Sequence, residues 1–523
     1  MEKRIVAFAA FLGLLYIFLM WKLNCVINDE EVIDAASGKG SFSVEIPRCK
    51  GYIYDRNKEP LVNRGSTYMA LINPDTFDLE EIYPKIADMD KFNANAGGNA
   101  PFLCELSDGD VSDPRTPVTE VRVRYDDSTF ARHILGYSSE NYGKCGIEGL
   151  FSDFSDEHEV CSRFTYSVNA MGNVLDGAEI EYDNDIDCSA GVVLSLDYDI
   201  QSICEKAAEK LDRGAIIVMD VKNGDIVAAV SRPVYDIDSM ADYIDREDAP
   251  FVNRVFSAYS VGSVFKTVIA SAALEYGISE EFAAKCSGKI MVGEQEFGCH
   301  YWAGHGRLDM RSAMVESCNP YFISLGRNIS TEFLENYMQL CGFGQEYDLG
   351  GIVSGSGYLP SAEELAVPAE KANLCFGQGK LSATPLQVCR FICAIANGGM
   401  MPEPRLIYGT VENAAQDISA DNGCTRIMSE DTADTLKSFM YDTLYKDNSA
   451  AIPENTDGGG KTSTAQTGRF SEDGAEELTC WFAGFFPYDE PRYAAVIIAE
   501  DGISGNLTCG PIFKEIADKV SSE

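Results

Sequence analysis

Ser263-Val264-Phe265-Lys266 is the only Ser-x-x-Lys in the chain, and it lies where the turn-like Ser260-Val261-Gly262 gives way to a helical run over 264–274. Residues three apart at a helix start stand one turn above each other, so the Lys266 ammonium can approach the Ser263 hydroxyl. A serine hydroxyl is a poor nucleophile until a base takes its proton, and a lysine kept neutral by desolvation and a nearby cation can be that base. The first N–H groups of a helix have no partner within it and can hold a developing oxyanion. Taken alone the tetrapeptide also fits a solvated helix start, because roughly two would arise by chance in a chain this long.

Two downstream elements complete the chemistry. Ser317-Cys318-Asn319 ends a helical run over 310–316, and Lys461-Thr462-Ser463-Thr464 follows much later. Other Ser-x-Asn triplets occur, Ser139-Glu140-Asn141 and Ser504-Gly505-Asn506 among them, so the order of the three elements carries the weight. A serine acyl-transfer site without histidine needs a nucleophile with its lysine and a hydroxyl to pass the proton to the leaving group. It also needs an amide to hold the substrate backbone, and a second cation to keep the first lysine neutral and dock a carboxylate. The trio Ser-x-x-Lys, Ser-x-Asn, Lys-Thr-Gly is the signature of penicillin-binding proteins and class A β-lactamases.

The elements that must position these residues alternate from about residue 191 onward. A strand over 191–197 precedes a helix over 200–211, and strands over 214–220 and 225–230 form a hairpin through Lys222-Asn223-Gly224. A strand over 493–499 and a helix near 513–520 close the chain. Residues 30–187 mix short alternating runs with polar, Gly/Asn-rich stretches, which predicts a β-rich or α+β domain. Ahead of it, residues 5–21 carry no charge. This run is at the short end of what spans a bilayer, and no small-x-small cleavage site follows. An uncleaved anchor is expected, with Lys3 and Arg4 on the cytoplasmic side and everything from about Asn24 outside.

Forty-two Lys and Arg against 82 Asp and Glu leave a net charge of −40. Such a surface repels phosphate backbones, which argues against nucleic-acid binding. The chain has 17 cysteines and no Cys-x-x-Cys. Cys286, Cys299, His300 and His305 invite a metal reading, but the two cysteines are 13 apart rather than the two to four of a zinc finger. A disulfide closing the hairpin over 289–297 fits better, with free buried thiols close behind. His305 between Gly304 and Gly306 reads as structural. With four histidines in all, a Ser-His-Asp hydrolase is unsupported.

Over nearly its full length the chain resembles a class B penicillin-binding protein, a monofunctional bacterial D,D-transpeptidase. The run Arg48-Cys49-Lys50-Gly51-Tyr52-Ile53-Tyr54-Asp55-Arg56-Asn57 is similar to the family's pedestal motif, with Cys49 and Lys50 disturbing it. His133-Ile134-Leu135-Gly136-Tyr137, Gly146-Ile147-Glu148, Leu194-Ser195-Leu196-Asp197 and Gly304-His305-Gly306 also match. So do Gly377-Gln378-Gly379, Thr384-Pro385-Leu386-Gln387, Ala396-Asn397-Gly398-Gly399 and Trp481-Phe482-Ala483-Gly484-Phe485.

The resemblance implies an α+β multidomain chain: cytoplasmic tail 1–4, transmembrane helix 5–22, β-rich pedestal 23–187, and a transpeptidase domain 188–523 with helices packed on an antiparallel sheet. It implies that Ser263 is acylated by the penultimate D-Ala of a peptidoglycan stem peptide, and by β-lactams. Lys266 would be the general base, Ser317 the proton relay with Lys461, and Asn319 the holder of the substrate amide. Thr462 would help dock the terminal carboxylate, and the N–H groups of Ser263 and Thr464 would form the oxyanion hole. No metal or organic cofactor is implied. The implied partner is a membrane glycan polymerase of the shape, elongation, division and sporulation class. The alternatives are a D,D-carboxypeptidase and a catalytically idle scaffold. A class A β-lactamase lacks its Glu-x-x-Leu-Asn loop here. Within the Lys-Thr-Gly motif one position departs from the family: Ser463 replaces the usual glycine, either crowding bulky β-lactam side chains or hydrogen-bonding behind the strand.

Overall fold

The Asn223-Gly224 turn forms as its sequence predicts: Gly224 adopts a left-handed φ of +75° and joins β1 (Gly214–Asp220) to β2 (Ile226–Arg232) as an antiparallel hairpin. The computed structural model describes the chain apart from residues 1, 28–40, 47–49, 75–76, 99–100, 114, 127, 140–141, 159–161, 168–179, 184–188, 238, 414, 417–421, 471–473, 475 and 523. Arg48 and Cys49 of the pedestal-like motif therefore lie outside the described residues.

With β3 (Gly459–Phe470), β4 (Glu476–Phe486) and β5 (Tyr493–Glu500), the hairpin builds a five-stranded sheet ordered β2-β1-β5-β4-β3. Every pairing is antiparallel. Nearly every residue of β1 and β5 is buried, so these strands read as unbroken apolar runs because both faces are covered. On one face the core includes Ile200, Cys204, Ile216, Phe482, Ile512 and Phe513, contributed partly by helices α1 (Tyr198–Ala207) and α6 (Gly510–Val520). Other helices between residues 198 and 520 include α2 (Lys266–Glu275), α3 (Asn319–Gly326), α4 (Pro385–Ala396) and α5 (Glu430–Leu444).

Every residue of α4 is buried, and it packs on β1 and β5. Its start explains the Thr-Pro-Leu-Gln motif. Thr384 accepts the Gln387 N–H, Gln387 accepts the Thr384 N–H, and Pro385 occupies the first turn, where no N–H is required. The helix expected over 264–274 begins differently: a 3-10 turn, Gly262–Phe265, precedes α2.

The chain divides into two compact units. One comprises Met1–Gly51, Val62–Ser128 and Asp156–Ser189; the other comprises Tyr52–Leu61, Thr129–Ser155 and Ala190–Glu523. Segments 52–61 and 129–155, expected in the pedestal, thus belong with the sheet described above. The cause is local: strand Tyr52–Tyr54 pairs in parallel with Gly191–Leu194, and Asp55 accepts the Tyr198 N–H at the start of α1. The first unit holds two three-stranded sheets with small cores around Phe92 and Ile72, and around Phe164 and Tyr166. It also includes the N-terminal helix Glu2–Ile27, on which Phe8, Leu14, Ile17 and Trp21 are exposed. Among the described residues no helix is long and apolar enough to cross a membrane.

Candidate active site

Ser263 sits in the 3-10 turn ahead of α2, in a segment held from two sides. Gly262, at a left-handed φ of +61°, donates its N–H to the Gly377 carbonyl at 2.8 Å. A side chain on Gly377 would lie 2.0 Å from the Gly262 carbonyl oxygen, which explains that glycine. The Trp481 indole N–H of β4 donates to the Ser260 carbonyl at 2.9 Å.

One turn on, Lys266 is fully buried. Its Nζ lies 3.0 Å from Ser263 Oγ, 3.1 Å from Ser317 Oγ, 2.7 Å from the Ser317 carbonyl and 2.7 Å from Asn319 Oδ1. An ammonium has three protons and no lone pair, so it can only donate to these oxygens. As a neutral amine Lys266 can donate to the carbonyl and the amide oxygen while accepting the Ser263 proton. The electrostatics agree: burial first, then the charge of Lys461, hold Lys266 well below the ordinary lysine range.

Lys461, on β3, is also buried, and its Nζ lies 3.1 Å from Ser317 Oγ. Burial and then Lys446 bring it down to about 7. Both lysines are thus held below the ordinary range, Lys266 in part by the charge of Lys461. Ser317 bridges the two lysines, and its backbone takes a left-handed φ of +51°, a conformation a non-glycine residue adopts only when its surroundings impose it. Five residues expected to act together, Ser263, Lys266, Ser317, Asn319 and Lys461, are therefore assembled.

Thr462 lines a cavity of about 210 Å³ beside Lys461, Ser317 and Asn506. Thr464 is exposed and accepts the Gly505 N–H through Oγ1 at 3.1 Å. Their strand, β3, is an outer strand of its sheet, where an extended peptide can add alongside. Ser463 faces the other way. It is buried, and its Oγ accepts the Ser263 backbone N–H at 2.8 Å. Of the two orientations open to it, the structure takes the one behind the strand, and it occupies an N–H expected to serve the oxyanion.

The sequence spacing argued against a shared metal site, yet the fold brings Cys286, Cys299, His305 and Cys318 together, with one donor atom of each within 4.8 Å of all the others. Strand Ala284–Cys286 pairs with Gly306–Leu308, so Cys286 lies opposite Gly306, while Cys318 caps the start of α3. The expected disulfide is not formed: Cys286 and Cys299 are free thiols. His305, expected to be structural, points Nδ1 at Cys299 Sγ, 3.6 Å away. Three thiols and an imidazole form a donor set suited to a tetrahedral zinc-class ion. Only a count of Cys and His across all three segments, including the central residue of the Ser-x-Asn triplet, could have found it.

Residues 214–518 match the model of the penicillin binding protein transpeptidase domain. Stage V sporulation protein D of Bacillus subtilis (strain 168) is 28% identical over 412 residues, covering 75% of this chain and 62% of that relative. Peptidoglycan D,D-transpeptidase MrdA of Acinetobacter baumannii is 25% identical over 562 residues, covering 90% of this chain and 80% of its own length. Among solved structures, a chain from a peptidoglycan synthase complex, studied for the structural coordination of polymerization and crosslinking, aligns with a TM-score of 0.70. Its sequence identity is 20%, and the alignment covers 98% of this chain and 97% of that one. The match spans more than half of the chain and contains the whole Ser263, Ser317 and Lys461 constellation, so this chain belongs to the penicillin-binding protein transpeptidase family.

Proposed function

We propose that the chain is a peptidoglycan D,D-transpeptidase that crosslinks stem peptides through an acyl-enzyme on Ser263 and is acylated there by β-lactams. One observation carries the reading: a buried, depressed lysine, Lys266, stands 3.0 Å from the Ser263 hydroxyl and 3.1 Å from Ser317, which a second buried lysine also reaches. Ser263 Oγ bonds to the carbonyl carbon of the penultimate D-Ala as its proton passes to Lys266. The bond to the terminal D-Ala nitrogen breaks, and Ser317 delivers a proton to that leaving amine from the Lys266 and Lys461 pair. An amino group of a neighbouring stem then bonds to the acyl carbon, the ester bond to Ser263 Oγ breaks, and the proton the amine loses returns to Ser263 Oγ through Lys266. Asn319 holds the substrate amide, Thr462 docks the terminal carboxylate on the cavity wall, and the Thr464 N–H faces the oxyanion. With a β-lactam the ring amide opens, and the leaving nitrogen stays tethered.

Attachment to a bacterial cell membrane, with the catalytic unit outside, rests on the uncharged run 5–21 behind Lys3 and Arg4 and not on the described part of the N-terminal helix, which is not long and apolar enough to cross one. The polymerizing and crosslinking complex among the structural neighbours supports a membrane glycan polymerase as partner. Proteolysis and mass spectrometry of the full chain after treatment with a fluorescent penicillin test the reading. The label is expected on the peptide containing Ser263 and in the membrane fraction. Its persistence in Ser263→Ala refutes the mechanism. Product analysis with an amine acceptor separates transpeptidation from a D,D-carboxypeptidase, which would yield only hydrolysed tetrapeptide; a chain that takes no label is a scaffold.

A further inference from the structure

We propose that Asn506 is a positioning residue for the carboxylate end of the substrate: its side-chain amide fixes a wall of the cavity that Thr462 lines, and so favours ligands that carry a terminal carboxylate. The inference deepens the transpeptidase reading above and rests on it.

Ser504-Gly505-Asn506 is one of the Ser-x-Asn triplets that the motif order leaves without chemistry. In the fold it opens a single π-helical turn, Gly505–Cys509, in which Ser504 Oγ accepts the Leu507 N–H at 3.2 Å. Such turns are rare and concentrate at functional sites. This one is pressed onto the catalytic strands. A side chain on Gly505 would stand 2.4 Å from the carbonyl oxygens of Ser463 on β3 and Trp481 on β4, so only glycine allows the approach. The Gly505 N–H donates to Thr464, and the next residue, Asn506, lies on the cavity shared by Thr462, Lys461 and Ser317.

Both ends of the Asn506 amide engage one loop. Nδ2 donates to the Asn448 carbonyl at 3.1 Å, and Oδ1 accepts the Ala450 N–H at 2.9 Å. That loop links α5 to β3, and its Lys446, Asn448 and Ser449 line the same cavity. Asn448 takes a left-handed φ of +66° there. Within the loop the Ser449 N–H donates to the Lys446 carbonyl at 3.2 Å. Among the described residues, the two bonds to Asn506 are the ones that join the backbone of residues 446–450 to a distant part of the chain. Asparagine offers a donor and an acceptor on one planar group, and the loop uses both. Alanine supplies neither, and aspartate lacks the donor. Through these bonds the loop is set against β3, where Thr462 docks the carboxylate. A misplacement of about 1 Å at such a distance from the chemistry can cost about 10²-fold in rate. Asn506 thus acts through the loop rather than on the reacting atoms.

The test uses the full-length protein and two ligands that differ only at the docked group, a penicillin and its methyl ester. Second-order acylation rates are read by mass spectrometry of the Ser263 adduct. Asn506→Ala is expected to slow the free acid about tenfold and the ester by less than about twofold, so the acid-to-ester ratio falls. Asn506→Asp keeps the bond from the Ala450 N–H but sets a negative charge on the cavity, and should lower the ratio further. Should Asn506→Ala fail to fold, Asn506→Ser, whose hydroxyl can keep one of the two bonds, is read in its place, with a fall of about threefold expected. An equal loss for both ligands overturns the inference, because a residue that only holds the fold does not tell acid from ester. Unchanged rates for both overturn it as well. A wild type that neither compound labels at Ser263 overturns the transpeptidase reading and the inference with it, whereas a labelled wild type whose variants keep the same ratio overturns the inference alone.

Discussion

On one side of the Ser317-Cys318-Asn319 turn, the Lys266 amine is surrounded by four oxygens from Ser263, Ser317 and Asn319. On the other, Cys318 Sγ meets two further thiols and an imidazole. On the first side, burial and then a second lysine favour the neutral form of Lys266, and hydrogen bonds orient it. The second side gathers soft donors that have little to offer an acyl-transfer reaction. One turn thus faces a hard, proton-moving environment and a soft one, and its backbone strain lies between them. The difference teaches that Ser317 borders two unlike environments, and that only the oxygen-lined one brings it within hydrogen-bond reach of the two lysines.

The largest effect is expected from the oxygen-lined side. Lys266→Met removes the base and should lower β-lactam acylation about 10²- to 10⁴-fold, measured as second-order rate constants by stopped flow. Stability should not fall with it. A lysine whose folded pKa lies below its unfolded value binds fewer protons when folded, so it lowers stability at neutral pH and does so less as pH rises toward the unfolded value. Lys266→Met should therefore keep or raise the melting temperature at pH 7 and flatten the rise in stability above it. A variant that is both inactive and clearly destabilised would show that Lys266 holds the turn rather than the proton.

Lys461 sharpens the same side. Acylation should rise with pH as Lys266 becomes neutral, then fall above about 7 as Lys461 loses its charge. In Lys461→Met the alkaline limb should vanish and the acidic limb move upward, because a cation that held Lys266 down is gone. The rate at the optimum should drop about 10- to 100-fold. Rate profiles of both proteins decide it, and an alkaline limb that survives the substitution assigns it to another group. A smaller effect is expected from Trp481→Phe, which loses the 2.9 Å bond to the Ser260 carbonyl. About 1 kcal/mol of stability should go with that bond, read from denaturant midpoints.

Much of the oxygen-lined side was legible in the sequence because its chemistry is ordered along the chain. Ser263, Lys266, Ser317, Asn319 and Lys461 fall in three short motifs, and Thr384-Pro385-Leu386-Gln387 and Asn223-Gly224 reveal their backbone roles through residue type alone. The sulfur side was not legible in the same way. Cys286 and Cys299 are spaced as no local finger would be, and Cys318 is hidden as the variable residue of Ser-x-Asn. Only the pairing of Ala284–Cys286 with Gly306–Leu308 and the capping position of Cys318 bring them together. The allocation of 52–61 and 129–155 was missed for a related reason. A three-residue strand, Tyr52–Tyr54, takes its partner from Gly191–Leu194, far along the chain, and no short-range pattern signals such a pairing.

The smallest expected effect concerns Ser463, where the structure changes what the sequence suggested. A serine pointing into the cleft would have discriminated between bulky and small β-lactams. Instead, its hydroxyl is turned toward the nucleophile loop and accepts the Ser263 N–H at 2.8 Å. A side chain on Gly262 would stand 2.3 Å from that hydroxyl, so the fit between the two strands of chain is close. An N–H has one proton. While Ser463 holds it, the oxyanion of the tetrahedral intermediate must rely on the Thr464 N–H or displace the hydroxyl. Exchanging one neutral hydrogen bond for another costs about 1 kcal/mol, or about fivefold in rate. Ser463→Gly should accordingly speed acylation about fivefold, and by the same factor for a bulky cephalosporin and a small penicillin, since both develop the same oxyanion. Ser463→Ala should do likewise, because it removes the acceptor but keeps the Cβ. Acceleration confined to the cephalosporin would return the side chain to the cleft. A slower Ser463→Gly would mean that the hydroxyl, by holding the Ser263 N–H, orients the nucleophile, and that its loss loosens the turn more than it frees the oxyanion hole.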